Sequence, residues 1–299
     1  LTNTLPDKVD YFPKFLDWPR CHAPAVEFPL EGDGLTKLIA EEACALARID
    51  AAFEKDGDDI AAILIETIQC EGGDRHFRAE FLQALQARCE KYDCLFILDE
   101  VQTGFFGSGK QWAWQHYGIQ PDIITIAKGL TSAYAPLSGS IISEKVWKVL
   151  EQGSDENGPI GHGWTYSAHP ICAAAGVANL KVIDDLGLVA NAGETGAYLK
   201  NAIAGALGDH AHVGDVRGEG MLAAIELVED KDDRVFYDPA RKIGPSIAAA
   251  LLSRGVIARA MPQGDIIGFA PPMCLTRAEA DIIVSAVTDA VSEVCDKNP

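Results

Sequence analysis

Three apolar runs in the first half of the chain each end in an ionisable side chain, and this pattern limits the possible folds most. The runs are IAAILIE, CLFILD and IITIAK, which close on Glu66, Asp99 and Lys128. Amphipathic stretches with helical spacing separate the runs, as in sheets whose buried parallel strands alternate with covering helices. Ligands bind such sheets at the carboxyl ends of the strands. The pattern therefore predicts an α/β fold with a site where the three charges meet.

The periodicity divides the chain into two parts. The first part is predicted to have helices at 36–56 and 78–91 and strands at 60–66, 94–99, 121–127 and 139–143. The second part has an α+β pattern, with two antiparallel strands at 213–227, helices at 241–253 and 276–295, and short strands at 256–260 and 266–269. Long helices at 168–185 and 188–206 bridge the parts, and residues 1–35 are expected to be irregular. We therefore expect a large domain at 1–185 and a smaller C-terminal domain at 186–299.

Composition argues against several classes of function. The 299 residues carry a net charge of -19, which disfavours nucleic acid because phosphate backbones repel an acidic surface. No apolar run approaches the ~20 residues that span a bilayer, so we expect no membrane partner. The eight cysteines include no C-x-x-C pair, and His162 and His169 are interpreted as structural, so we expect no metal site. Free thiols indicate a reducing compartment, and hence a cytoplasmic protein.

The charges at the strand ends have a simple interpretation and a functional one. Each charge can mark the point where the chain meets water. Burying an unpaired charge is costly, however, so three charges at one sheet edge indicate a site. A desolvated lysine is a nucleophile that forms a Schiff base, and a fixed aspartate suits a protonated pyridine nitrogen.

The glycine-rich segment GFFGSGK, at 104–110, offers a competing interpretation, because it nearly matches a Walker-type phosphate-binding loop. In a Walker loop the lysine precedes a Ser or Thr that binds magnesium, whereas Lys110 precedes Gln111. Phe105 and Phe106 also stand where the backbone would have to wrap closely around phosphate. Nucleotide binding is therefore disfavoured.

Longer motifs carry a resemblance to a known family. LFILDEVQTGFFGSGKQWAWQHYGIQPDIITIAKGL, at 95–130, resembles the signature of class III aminotransferases, which are fold-type I enzymes dependent on pyridoxal 5′-phosphate. HGWTYSAHP, at 162–170, is similar to the second hallmark of that family. The resemblance covers essentially the whole chain. It implies a fold-type I large domain with a mainly parallel sheet, a homodimer, and amino transfer between a small-molecule amine and a keto acid.

The resemblance also implies the residues that contact the cofactor. Lys128 would form the Schiff base with pyridoxal 5′-phosphate and move protons at the amine-bearing carbon. Asp99 would pair with the protonated pyridine nitrogen, Val101 would pack on one ring face, and Gln102 would reach the 3-hydroxyl region. Thr165 would donate to the phosphate across a dimer interface.

A further cofactor-binding position is implied at the end of the first apolar run. Glu66 matches the strand-end glutamate that lies near the active site in the family. The family usually has proline after this glutamate, whereas this chain has Thr67.

Two subfamily resemblances imply the substrate contacts. YFPKFLDWPR and QCEGGDRHFR resemble lysine 6-aminotransferase, in which a glutamate at the position of Glu71 gates an arginine between donor and acceptor. GLTSAYAPLSG and VGDVRGEGMLAAIELVEDK resemble ω-amino acid or amine:pyruvate aminotransferases, whose mobile carboxylate-binding arginine matches Arg259. In that group Trp164 would line the pocket. Ala270 stands where the lysine enzyme has its own arginine.

The resemblance thus implies transamination from a primary amine or ω-amino acid to a keto acid such as pyruvate. One alternative is a lysine 6-aminotransferase that uses 2-oxoglutarate. Another is a non-catalytic truncated fragment, because LTNTLPDKVD resembles mid-family sequence and the family's Gly-Ser/Thr phosphate loop and ring-stacking aromatic have no visible counterpart. From the residues alone, Arg259 can be a surface charge, Trp164 a core residue and Glu71 a plain loop carboxylate.

Overall fold

The computed structural model of the protein describes residues 19–24, 32–262 and 265–296. The described residues form two four-stranded sheets and one short hairpin, with helices packed on them. None of the helices in these ranges is both long enough and apolar enough to cross a bilayer.

The first sheet brings the predicted apolar strands together. Its order is β1 (Ala62–Glu66), β4 (Leu95–Asp99), β5 (Ile123–Ile126) and β6 (Gly139–Ile142). The first three strands are parallel, and β6 runs antiparallel to β5. The register aligns Glu66 with Asp99, and Asp99 with Thr125, so the three parallel strands end at one edge.

Helices and a short hairpin flank this sheet. The helices are α1 (Gly32–Asp56), α2 (Ala79–Lys91), α3 (Glu144–Asn157) and α4 (Pro170–Asp185). The hairpin consists of β2 (Ile68–Gln69) and β3 (Arg75–His76), and it directly follows β1. Helix α2 packs on β4, and Arg78 at its start forms a two-pronged ion pair with Glu42 of α1, at 3.0 and 2.8 Å.

The second sheet is antiparallel, in the order β7 (Val213–Glu219), β8 (Leu222–Leu227), β10 (Ile266–Phe269) and β9 (Arg259–Ala260). Its core includes residues of α5 (Leu188–Leu207), α6 (Ile243–Ser253) and α7 (Arg277–Cys295). At the turn between β7 and β8, Gly220 has a φ of +60°, and an added Cβ would lie 2.4 Å from the carbonyl carbon of Ser108. The turn between β7 and β8 therefore fits against the glycine-rich segment at 104–110 only because Gly220 lacks a side chain.

The predicted α/β architecture with a mainly parallel sheet is confirmed, together with the antiparallel pair after residue 185. Several local details were not predicted. Helix α1 begins at Gly32, inside the segment expected to be irregular; the rest of residues 1–35, apart from 19–24, lies outside the described residues. Helix α3 was not predicted, because it buries no side chain and therefore has no apolar face towards a core. The serine cap at Ser143 was the available sequence signal for its start. The domain boundary at 185/186 stays a prediction.

Candidate active site

The carboxyl edge of the first sheet carries Glu66, Asp99 and Lys128. Glu66 and Asp99 are paired residues at the ends of two neighbouring strands. Lys128 follows the end of β5 by two residues and begins a short 3₁₀ turn, Lys128–Leu130. Its φ of +40° is uncommon for a residue with a side chain, and such strain is frequent at functional sites. The sheet thus gathers the three predicted residues at one edge.

The Asp99 carboxylate is fixed by its own turn. Its Oδ1 accepts a hydrogen bond from the backbone N–H of Val101 at 3.0 Å. Within the described residues, Oδ2 has no hydrogen-bond partner and is free to accept one from a ligand. The side chain of Gln102, which follows Val101, hydrogen-bonds to Glu71 and so helps to lower the pKa of the Glu71 carboxyl.

Glu100 is a structural carboxylate that the sequence analysis missed. It is fully buried and accepts four hydrogen bonds, from the hydroxyls of Thr67 (2.9 Å) and Thr103 (2.5 Å) and from the N–H groups of Ala113 (3.1 Å) and Trp114 (2.9 Å). Adjacent residues of a strand face opposite sides, so the Asp-Glu pair at the end of β4 already indicated two environments. Through Thr67 and Thr103, Glu100 connects the end of β1 to the turn that follows Asp99.

Thr67 has a specific function in this arrangement. It is buried, and its hydroxyl is the donor to Oε1 of Glu100. A proline has no hydroxyl to donate. The threonine therefore supplies a hydrogen bond to Glu100 that the proline implied by the resemblance would lack.

Glu66 is buried beside Asp99 without full hydrogen bonding. Its side chain is 3% exposed, and its Oε1 has no partner. Burial, aided by the negative charge of Asp99, raises the pKa of Glu66 to about 8, although the positive charge of Lys128 acts in the opposite direction. The carboxyl is consequently protonated at neutral pH and can offer a proton to a ligand.

Asn179 of α4 fixes the turn that begins at Lys128. Its amide donates to the carbonyls of Gly129 (2.8 Å) and Leu130 (3.2 Å). The Lys128 side chain itself is exposed, so its amine is accessible. Asn179 was not identified from the sequence, because no spacing rule connects residues 49 or 50 positions apart.

Glu71 and Arg259 form a two-pronged ion pair between the β2–β3 hairpin and the second sheet. Glu71 lies on the loop between β2 and β3, and Arg259 lies on the edge strand β9. The guanidinium nitrogens are 2.5 and 2.9 Å from the two carboxylate oxygens. Hydrogen bonding to Arg259 lowers the pKa of Glu71, and the same contact raises the pKa of Arg259. The two residues implied by different subfamilies are thus direct partners.

Two predicted residues, Trp164 and Thr165, are exposed and have local contacts only within the described residues. Trp164 is 75% exposed, and its neighbour Thr165 is also exposed. The backbone N–H of Trp164 donates to Ser167, and its ring touches His162 edge-on. Their roles in the pocket and at a phosphate stay predictions.

The glycine-rich segment does not form a phosphate cradle. Phe105 is buried and packs edge-on against Trp112, with ring centroids 5.0 Å apart. The Lys110 amine donates to the carbonyl of Gln115 at 3.0 Å. Within the described ranges, no cluster of histidine, cysteine, aspartate or glutamate could hold a metal ion.

The cluster has the groups that pyridoxal 5′-phosphate requires. Asp99 presents a free carboxylate oxygen, Lys128 an accessible amine, and Glu66 a buried oxygen without a partner. A protonated pyridine nitrogen needs such an aspartate, and an aldehyde needs such an amine. The described residues therefore fit the ring and aldehyde of this cofactor.

Comparison with known sequences agrees with this chemistry. The family described as aminotransferase class-III matches residues 14–291. Diaminobutyrate–2-oxoglutarate transaminase of Halomonas elongata is 49% identical over 266 residues, covering 89% of this chain and 57% of its own length. L-lysine-epsilon aminotransferase of Mycobacterium bovis is 36% identical, with 98% and 61% covered. Putrescine–pyruvate aminotransferase of Pseudomonas aeruginosa is 34% identical, with 78% and 50% covered.

Solved structures agree as well. A transaminase from directed evolution by ancestral reconstruction superposes with a TM-score of 0.83 at 50% identity, covering 87% of this chain and 57% of that chain. The ω-transaminase of Pseudomonas jessenii in complex with PMP superposes with a TM-score of 0.80 at 32% identity, covering 86% and 56%. The chain thus spans between a half and about three-fifths of the length of these relatives. It belongs to the class-III aminotransferases, a fold-type I family that depends on pyridoxal 5′-phosphate.

Proposed function

We propose that the protein transfers an amino group from a primary amine or ω-amino acid to a keto acid such as pyruvate, with pyridoxal 5′-phosphate as cofactor. The observation that carries the proposal is that Asp99 and Lys128 end neighbouring strands at one sheet edge, to which Glu71 links a carboxylate-binding arginine, Arg259. The amino group would thus leave the amine, which becomes a carbonyl compound, and pass to the keto acid, which becomes an amino acid.

When bound, the cofactor would withdraw electrons from the carbon that carries the amino group, and so would make a proton on that carbon acidic. The Nζ of Lys128 takes up this proton as a general base and later returns it as a general acid. Asp99 would hold a proton on the pyridine nitrogen, and the N–H of Val101 would keep the carboxylate oriented for this contact. Burial raises the pKa of Glu66 to about 8, which favours the neutral form of that carboxyl at pH 7.

Arg259 would bind the carboxylate of the keto acid. A guanidinium binds a carboxylate through two parallel hydrogen bonds, which is the geometry that Glu71 now occupies. Glu71 would therefore occupy Arg259 while a donor without a carboxylate at this position reacts, and would release Arg259 to the acceptor. One guanidinium then serves two kinds of substrate.

A second acceptor, 2-oxoglutarate, is favoured by one observation. The 49%-identical relative from Halomonas elongata is a diaminobutyrate–2-oxoglutarate transaminase. Against it, 2-oxoglutarate has two carboxylates, whereas Arg259 provides one two-pronged contact. A donor with a terminal amine agrees with the diaminobutyrate, lysine-ε and putrescine names of the relatives.

We further propose a cytoplasmic homodimer. Large apolar side chains of the first part of the chain are exposed, including Tyr134 at 91%, Trp164 at 75% and Tyr166 at 80%. Exposed aromatic groups of this size are typical of association surfaces. The exposed Thr165 lies between Trp164 and Tyr166 in the chain and would serve the neighbouring subunit's cofactor phosphate. Sedimentation at several concentrations tests this: a dimer is expected, and a catalytically competent monomer would contradict it.

The acceptor preference tests the activity itself. We expect a higher kcat/KM with pyruvate than with 2-oxoglutarate, with a terminal diamine as donor. Arg259→Gln should raise the KM for the keto acid by about 10- to 100-fold, since it loses a charged two-pronged contact, and should leave the KM for the amine nearly unchanged. Arg254→Gln, which alters an arginine bound to Glu293 between two helices, is the matched control. Faster turnover with 2-oxoglutarate would favour the second candidate, and no turnover with either would refute the proposal.

A further inference from the structure

A second arginine of the antiparallel sheet binds the loop that carries Glu71. The Nε of Arg217, on β7, donates to the carbonyl of Asp74 at 2.8 Å, and its Nη2 donates to the carbonyl of Gly73 at 2.6 Å. These contacts join residues 143 and 144 positions apart. The remaining Nη1 contacts Asp215 at 2.9 Å and Glu226 at 2.5 Å.

Strand pairing places Arg217 and Arg259 on one row of the sheet. Arg217 is aligned with Ala224, Ala224 with Gly268, and Gly268 with Arg259. Residues directly opposite one another in neighbouring strands project from the same face. The two arginines therefore stand on one face at the two outer strands, with only the small residues Ala224 and Gly268 between them.

The loop at 70–74 lies over this gap and is held at both ends. Glu71 contacts Arg259, and the carbonyls of Gly73 and Asp74 contact Arg217. Between these contacts Gly73 has a φ of +106°, and a Cβ there would lie 2.5 Å from Cδ1 of Ile266. The loop is thus packed tightly on the sheet near Arg217.

The two attachments differ in burial and in the number of partners. The Arg217 side chain is 14% exposed, and all three of its nitrogens are used. The Arg259 side chain is 59% exposed, and within the described residues its guanidinium has Glu71 as its hydrogen-bond partner. Breaking the first attachment would remove a donor from the buried Glu226 carboxylate and from the carbonyls of Gly73 and Asp74, whereas breaking the second exposes groups to water.

We infer that Arg217 is a positioning residue, which anchors the 70–74 loop so that Glu71 stays in place while Arg259 leaves it and returns. The inference rests on the proposed function in one respect: Arg259 is taken to leave Glu71 in order to bind the keto acid. The anchor itself is a property of the folded chain. Movement at the pair is then confined to the Arg259 side chain, and the loop does not follow it.

Hydrogen exchange of the chain without cofactor tests the anchor. The amides of Gly73 and Asp74 both donate to the carbonyl of Cys70, at 3.1 and 3.0 Å, and report on the loop. Arg217→Lys keeps a positive charge for the carboxylates but cannot span both carbonyls, so loop exchange should rise by about 10- to 100-fold. Exchange in α7 should not change. Glu71→Gln, which weakens the contacts with Arg259 and Gln102 and keeps those with Arg217, should leave the loop protected, as should the control Arg254→Lys.

Two results would overturn the inference: a loop that stays protected in Arg217→Lys, or one that Glu71→Gln opens equally. If Arg217→Lys does not fold, the unsubstituted chain still provides a test. In rising urea, the Gly73 and Asp74 amides should become exchangeable together with those of β7 and β8. Loop exchange well before the strands would contradict the anchor.

Kinetics tests the link to Glu71. A looser Glu71 competes less well with the keto acid for Arg259, so Arg217→Lys should lower the KM for pyruvate by up to about tenfold with little change in kcat. The effect should vanish in a Glu71→Gln background, since Arg217 acts through Glu71. An equal effect in both backgrounds would show a purely structural role. Absence of turnover in the unsubstituted protein would refute the proposed function but leave the exchange result intact.

Discussion

Glu66→Gln is predicted to change how the stability of the protein depends on pH. The carboxyl has a pKa near 4.5 when the chain is unfolded and about 8 when it is folded, because burial and Asp99 disfavour its charge. Between these values the folded state binds more protons than the unfolded state, so stability falls as pH rises. The stabilisation is complete below about pH 4.5 and is lost as pH rises through about 8.

The size of the effect follows from the shift. The difference between about 8 and 4.5 is 3.5 pKa units, which corresponds to about 5 kcal/mol at full extent. Between about pH 5 and pH 8, the unsubstituted chain should therefore lose about 4 kcal/mol relative to Glu66→Gln. The variant has no proton to release at this position, so its own curve lacks this slope.

Urea unfolding followed by tryptophan fluorescence, at a series of pH values and without cofactor, measures the difference. Glu54→Gln, at an exposed glutamate of α1, is the control and should follow the unsubstituted chain at every pH. A constant offset between Glu66→Gln and the unsubstituted chain across this range would refute the reasoning. It would mean that Glu66 is solvated or paired in the folded state.

Three further substitutions test separate parts of the site. Lys128→Ala should lower turnover by at least about 10²–10⁴-fold in steady-state assays, because it removes the general base; full turnover would end the proposal. Thr67→Val should cost about 1–3 kcal/mol in denaturant unfolding, because a buried oxygen of Glu100 loses a donor; an unchanged midpoint would contradict that function. Asn179→Ala removes two hydrogen bonds to the turn that begins at Lys128, so kcat should fall while the free energy of unfolding changes little. An unchanged kcat would show that the turn keeps its conformation without Asn179.

The sheet and its reactive edge could be predicted from the sequence for a physical reason. Apolar runs bounded by helical patterns identify parallel strands, and parallel strands bring their carboxyl ends to one edge. Glu66, Asp99 and Lys128 each closed such a run, so their meeting required no knowledge of distant contacts. Residue type and spacing alone also distinguished the glycine-rich segment from a Walker loop, because Gln111 stands where such a loop has Ser or Thr.

The remaining parts of the site depend on contacts between distant residues. Glu71 and Arg259 are 188 positions apart and meet only because the antiparallel sheet is placed beside the hairpin that follows β1. Arg217 and Asn179 likewise act on backbone carbonyls far along the chain, and no local pattern marks an arginine or asparagine for that function. Glu100 was not singled out because the adjacent Asp99 accounted for the charge at the end of the strand, although strand alternation indicated that the two residues face opposite sides.

The attachment of the cofactor tests the central claim most directly. The purified protein would be mixed with pyridoxal 5′-phosphate, its visible absorption recorded, and the mixture then reduced with borohydride and mapped by peptide mass. The account predicts a visible band that reduction abolishes, with the cofactor fixed to the peptide that contains Lys128. No band at saturating cofactor, or a label on another lysine, would contradict the assignment of this sheet edge as the cofactor site.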